Sequence, residues 1–174
     1  MGGPRKACRA LFFHRQSTFG IGHPMNLLQT IPKESVSIAL ESRVKSGVLE
    51  EMLDLAMRGG QVHDRKAALK CIREREKKMS TGMHHGVAIP HGKTDAVDRL
   101  VAAVGISREG VDFESIDGQP ARIFILSISP ANRAGPQIQF LAEISRILNQ
   151  EERRTSFLKA ATVEDLHHLL LETP

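Results

Sequence analysis

The chain has 174 residues, the length of a single domain that can bury a substantial core. Apolar residues make up 41% and charged residues 25%, which is ordinary for a globular protein. Trp and Tyr are absent and Phe occurs seven times, so aliphatic side chains must build the core. This shortage of rings argues against any function that depends on aromatic stacking of bases or sugars.

The formal net charge of +4 belongs to the first 24 residues, which contain four Arg or Lys and no acidic residue. Without them, 20 basic residues face 20 acidic ones, so the domain has no overall bias towards polyanions and we expect no nucleic-acid partner. We predict a basic, disordered extension over 1–24 and a domain over 25–174. A translation start at Met25 is the alternative.

The apolar patch at residues 10–13 is too short to span a membrane, and the extension lacks the features of a secretory signal. Cys8 and Cys71 have neither metal-ligand nor Cys-x-x-Cys spacing, which predicts two reduced thiols. We therefore expect a cytoplasmic protein without direct membrane insertion.

The first half of the domain predicts two helices. Residues 27–42 have a mixed pattern, typical of an edge strand or a short helix. Ser46 is the expected N-cap of a helix to about Met57, stopped by Gly59-Gly60. Asp64 can cap a second helix to about Lys77.

Apolar runs predict the strands that follow. Gly86–Ile89 indicates a short strand that Pro90 should end, which would place His91 on the loop beyond it. Residues 100–106 and 121–128 indicate buried central strands, and 111–113 a short pairing strand.

Helical spacing returns in the last third of the chain. A helix to about Leu148 is expected with Pro136 in its first turn, and another helix over 151–160. The predicted buried positions of the first are Ile138, Leu141, Ile144, Ile147 and Leu148. Thr162 to Asp165 resembles a capping box for a last helix through Leu171, whose His167 and His168 are expected at the surface. Helices, then strands, then helices indicate a layered α/β or α+β domain.

Residues 80–93 contain three of the eight histidines, three glycines and a proline. Within them, Gly-Val-Ala-Ile-Pro-His-Gly-Lys at 86–93, preceded by Arg75-Glu76 and Ser80-Thr81-Gly82, resembles the signature of the fructose/mannitol-type IIA proteins. These belong to the bacterial phosphoenolpyruvate-dependent phosphotransferase system and include the nitrogen-regulatory IIA proteins. Residues 111–120 continue the resemblance more loosely.

This resemblance implies an α/β fold, a single layered domain with a mixed β-sheet flanked by helices. It also implies that His91 accepts a phosphoryl group from the phosphocarrier protein HPr. His91 would relay it to a sugar-specific IIB component or hold it as a regulatory signal. No cofactor is expected.

The resemblance places other residues around His91. Arg75 matches an arginine near the phosphorylated histidine, and His85 a position where the family often has Asn or His. Gln137 stands where many members have a second histidine, and a glutamine can donate a hydrogen bond but cannot carry a proton. This departure favours a regulatory switch over a sugar-uptake component.

Two alternatives to the phosphocarrier remain from the residues themselves. A metal site of His84, His85 and His91 is disfavoured because adjacent strand residues face opposite ways and no Cys or carboxylate has a partner spacing. A regulatory binding module on the same fold, which is not phosphorylated, is the more serious alternative, given Gln137.

Overall fold

The structure is a computed structural model and describes residues 30–59 and 61–172. Its helices are α1 (Lys45–Met57), α2 (Arg65–Lys78), α3 (Ala134–Leu148), α4 (Glu151–Lys159) and α5 (Val163–Leu171). Its strands are β1 (Val36–Ser37), β2 (Val87–Ala88), β3 (His91–Lys93), β4 (Val101–Val111) and β5 (Ala121–Ser129). The predicted extension over 1–24 lies outside the described residues.

The five strands form one mixed sheet in the order β1-β4-β5-β2, with β3 pairing further along β5. Only β4 and β5 run antiparallel to each other; β1, β2 and β3 pair with their neighbours in parallel. Side chains alternate along β5, so Phe124 and Leu126 pack under α1 and α2, while Ile123 and Ile125 pack under α3, α4 and α5. This arrangement of helices on both faces of a mixed sheet confirms the predicted fold class.

The predicted helix caps are confirmed in two places and wrong in a third. Asp64 accepts a hydrogen bond from the Ala67 N–H and begins α2, and Thr162 with Asp165 forms the capping box of α5. The Ser46 prediction is wrong, because α1 begins at Lys45 after Val44, without a side-chain cap. The predicted end of α1 at Met57 is confirmed.

Two strand predictions are corrected. The segment at 111–113 is not a separate strand, because β4 continues to Val111 through a register shift after Ile106. Gly110, with φ of +84°, supplies the left-handed conformation in this irregular stretch. His91 is not on a loop: Pro90 accepts a hydrogen bond from Ser127 N–H, and pairing with β5 then resumes at His91.

Within residues 30–59 and 61–172, no helix is both long enough and apolar enough to cross a membrane.

His168 is exposed as expected, but His167 is half-buried, with its Nε2 3.0 Å from the Ile31 carbonyl oxygen.

Candidate active site around His91

The half-buried His91 imidazole is held through both of its nitrogens. Nδ1 lies 2.9 Å from the carbonyl oxygen of Ile89, and Nε2 lies 3.1 Å from Nε of Arg75. A carbonyl oxygen can only accept a hydrogen bond and a guanidinium can only donate one. The two contacts therefore assign the neutral tautomer with the proton on Nδ1 and a lone pair on Nε2.

Arg75 reaches His91 from the last turn of α2. Its Nη1 donates a hydrogen bond to the carbonyl oxygen of Met79, 2.8 Å away, which steadies the guanidinium at the end of the helix. Arg75 and His91 are 16 residues apart in the chain, and the packing of α2 against β3 brings them together. The structure thus places the predicted arginine in direct contact with the predicted nucleophile.

The same surroundings keep the imidazole neutral. Burial lowers the pKa of His91, and the Arg75 cation lowers it further, while the hydrogen bond to Ile89 acts in the opposite direction. Protonation would place an N–H on Nε2 directly against the donating N–H of Arg75. A neutral imidazole with an available lone pair at neutral pH is a nucleophile, so this arrangement suits attack by Nε2.

Gly92 allows α2 and β3 to approach closely beside His91. A Cβ on residue 92 would lie 2.8 Å from the Sγ of Cys71. The Cys71 thiol in turn donates a hydrogen bond to the Lys93 carbonyl oxygen, 2.9 Å away, and its pKa is raised by burial. Cys71 is therefore a half-buried, protonated thiol that packs against β3, the strand that carries His91.

His91 opens into a cleft of about 560 Å³ between α2, β3 and α3. The cations of Arg75, Lys78 and Lys93 and the single carboxylate of Glu74 line it, which leaves an excess of positive charge. Such a cleft attracts an anionic group to the imidazole.

The α3 side of this cleft is apolar, and it contradicts the prediction that Ile138 is buried. Ile138 was expected in the core, but its side chain lines the cleft and is 63% exposed, with the half-buried Leu141 next to it. The buried stripe of α3 is instead formed by Gln137, Phe140, Ile144, Ile147 and Leu148. The predicted helical period was correct. The predicted buried face was wrong at the first turn of α3, because Gln137 and not Ile138 points inward there.

Gln137 is 2% exposed, and both ends of its amide are engaged. Oε1 accepts a hydrogen bond from the Ser129 hydroxyl, and Nε2 donates one to the Gly92 carbonyl oxygen, each over 3.1 Å. Gln137 therefore joins β5 to the backbone immediately after His91. These contacts make it a clamp on β3, whereas donation to a phosphoryl group remains a prediction.

The structure does not bring His85 into the cleft with His91. The side chain of His85 lines a separate cleft with Met83 and Val87. Its backbone N–H donates to Asp117 Oδ2 over 2.8 Å, and its φ of 63° lies in the left-handed region. Within the described ranges, no cluster of three His, Cys, Asp or Glu side chains could hold a metal ion.

No role is predicted for Glu76 from the sequence, although this residue follows Arg75 in the motif. The structure buries its carboxylate to 6% exposure between Lys45 and Thr81. The sequence offered one signal for this contact: Glu76 and Thr81 lie five residues apart within the motif. Its ion-pair partner Lys45 carries no signal of its own, because the two residues lie on different helices.

The chain matches the family model described as "Phosphoenolpyruvate-dependent sugar phosphotransferase system, EIIA 2" over residues 29–173. It belongs to this family. A fructose-specific EIIA component of the phosphotransferase system from Haloferax volcanii is 38% identical over 141 residues, which cover 81% of this chain and 92% of that protein.

Two solved structures are similar to the fold described above. The nitrogen regulatory protein IIA-Ntr from Neisseria meningitidis has a TM-score of 0.77 at 27% identity, covering 83% of this chain and 98% of its own. The IIA mannitol component of Escherichia coli, determined in complex with phosphorylated IIB mannitol, has a TM-score of 0.69, covering 79% of this chain and 94% of its own. At 21% identity, the second likeness shows the fold alone.

Proposed function

We propose that this protein is a histidine phosphocarrier whose acceptor atom is Nε2 of His91. The observation that carries the proposal is the fixed neutral imidazole, with its proton on Nδ1 and its lone pair directed to Arg75 in a cationic cleft. Membership of the EIIA 2 family supports this assignment. The proposed donor is phosphorylated HPr.

In the proposed step, the Nε2 lone pair of His91 attacks the phosphorus of a phosphohistidine on the donor. The new N–P bond forms as the donor's N–P bond breaks, and that bonding pair returns to the donor imidazole. His91 loses no proton, because Nε2 carries none and Nδ1 keeps its hydrogen bond to Ile89. The transfer consumes no nucleotide, and docking of the two proteins supplies the alignment.

Arg75 has two roles in this account. Before transfer, its Nε–H occupies the lone pair of Nε2 and orients the ring. As the phosphoryl group arrives, the guanidinium exchanges this contact for a phosphoryl oxygen and offsets its charge. Lys78 and Lys93, exposed on the same cleft, add to the positive field that draws in the donor.

The phosphoryl group then goes to a IIB component, or remains on His91 as a regulatory signal. The relatives carry both possibilities, since one is named a fructose-specific EIIA component and another a nitrogen regulatory protein. The complex of IIA mannitol with phosphorylated IIB mannitol supports docking of a IIB component on this fold.

The direct test is phosphorylation of the full chain with phosphoenolpyruvate, enzyme I and HPr, followed by intact mass. We expect one acid-labile phosphoryl adduct, absent from His91→Ala. His84→Ala is the matched control, because this exposed histidine lies outside the cleft and should leave the adduct intact. His85→Ala tests the predicted donor, and unchanged acceptance would remove it from the site.

Failure of the wild-type chain to form an adduct with an active HPr would refute the carrier function. An adduct that persists in His91→Ala would refute the acceptor. A fructose-type IIB protein is then added and loss of the adduct is followed. Loss of the adduct indicates relay to IIB, whereas retention indicates a regulatory signal.

A further inference from the structure

The buried carboxylate of Glu76 lies one residue after Arg75 on α2, on the side of the helix away from the His91 cleft. A buried charge must be paired and hydrogen-bonded to be tolerated. Glu76 Oε1 lies 2.8 Å from Lys45 Nζ, and the carboxylate also accepts from both the N–H and the hydroxyl of Thr81, over 3.0 and 2.5 Å. Burial raises the pKa of Glu76, but the bonds from Lys45 and Thr81 lower it by more, so the group is charged.

Thr81 connects the Glu76 carboxylate to the strand that leads to His91. The carbonyl oxygen of Thr81 accepts a hydrogen bond from the Ile89 N–H, over 3.0 Å. The carbonyl oxygen of the same Ile89 is the acceptor for His91 Nδ1. A continuous series of hydrogen bonds therefore runs from the Glu76 carboxylate to the nitrogen of the imidazole that Arg75 does not touch.

We propose that Glu76, paired with Lys45, is a positioning residue that fixes the tautomer of His91 through Thr81 and Ile89. Two consecutive residues of α2 thus hold the two nitrogens of one imidazole, Arg75 directly and Glu76 through the backbone. The inference rests on the proposed function only in what the tautomer is for, which is to leave Nε2 free to accept the phosphoryl group.

The chemistry requires a carboxylate at this position. All its partners, the Lys45 ammonium and the two Thr81 groups, are donors. A glutamine would turn an N–H towards a donor and would lose an acceptor and the charge that holds Lys45. Thr81 would then shift and the Ile89 carbonyl would lose its fixed position. Only the donation from Arg75 would still favour a proton on Nδ1, so the tautomer with the proton on Nε2 would gain population.

The test measures tautomers in the full, unphosphorylated chain labelled with ¹⁵N-histidine, at a pH where the imidazoles are neutral. The ¹⁵N shifts distinguish protonated from unprotonated ring nitrogens, and the signal missing from His91→Ala assigns the residue. We expect Nδ1–H alone in the wild type, a mixture in Glu76→Gln, and a smaller shift in the same direction in Thr81→Val, which loses only the hydroxyl bond. Glu114→Gln is the matched control, because Glu114 pairs with the same Lys45, over 3.1 Å, but is 74% exposed and makes no bond to Thr81 in the described contacts.

Phosphoryl transfer from HPr supplies the second readout. We expect kcat for Glu76→Gln to fall by roughly tenfold to a hundredfold, with KM nearly unchanged because the residues that line the cleft are intact. An unchanged tautomer in Thr81→Val or in a folded Glu76→Gln overturns the inference, and Thr81→Val alone decides if the other variant does not fold. If the wild type accepts no phosphoryl group, the proposed function fails, and the tautomer comparison still decides this inference.

Discussion

Replacing Gln137 with alanine tests whether this residue holds the strand of His91 in place. The substitution removes two buried hydrogen bonds and leaves the buried Ser129 hydroxyl without its acceptor, whereas the Gly92 carbonyl keeps its place in the parallel pairing of β3 with β5. Each buried group left unsatisfied costs about 1–3 kcal/mol. The lost bond to Gly92 adds a net cost of about 0.5–1.5 kcal/mol. We therefore expect Gln137→Ala to lower the free energy of unfolding by roughly 1.5–4.5 kcal/mol, or Tm by roughly 3–18 °C for a domain of this size.

The assay is denaturant unfolding followed by circular dichroism, with Gln139→Ala as the control. Gln139 lies two residues further along α3 and is exposed, so its replacement should change stability by less than about 0.5 kcal/mol. A loss of less than about 1 kcal/mol in Gln137→Ala would refute the clamp, because one unsatisfied group already costs that much. Phosphoryl acceptance, measured well below Tm, then shows whether Gln137 also contacts the phosphoryl group: a clamp alone leaves much of it intact.

Four further predictions concern the reaction and the pH dependence of stability. Arg75→Met should lower kcat for phosphoryl acceptance by roughly 10²–10³-fold, and a smaller effect than tenfold in single-turnover measurements would contradict its role. Because burial and Arg75 lower the pKa of His91, the acid limb of the rate profile should lie below the value of ~6.5 for free histidine. The contribution of the neutral imidazole to the free energy of unfolding should be complete above a pH of ~6.5 and lost as the pH falls through the lower pKa of the folded state. If the rate or the free energy of unfolding showed a midpoint at or above ~6.5, the lowered pKa would be contradicted. Ile138→Glu should raise KM for phosphorylated HPr by roughly tenfold with kcat preserved, whereas Ile116→Glu, equally exposed but outside the lining of the cleft, should leave KM unchanged.

The family of this protein could be predicted from a short stretch of sequence. The text from Arg75 to Lys93 resembles the IIA signature, and the match over 29–173 confirms the family. Helices were also predictable, since the periodicity of α3 and the caps at Asp64 and Thr162 depend on residues within a few positions of each other.

The arrangement of the site was decided by the tertiary structure. The hydrogen bond from Arg75 to His91 spans 16 residues and that from Gln137 to Gly92 spans 45, so both depend on how helices pack against the sheet. Packing also turned Ile138 outwards and Gln137 inwards, against the expectation from hydrophobicity.

The candidate nucleophile could be identified from the sequence, because a motif is a local property of the chain. The tertiary structure sets which of its nitrogens is unprotonated, because the tautomer depends on what faces each nitrogen. A carbonyl two residues before His91 and a guanidinium from another element make that choice together.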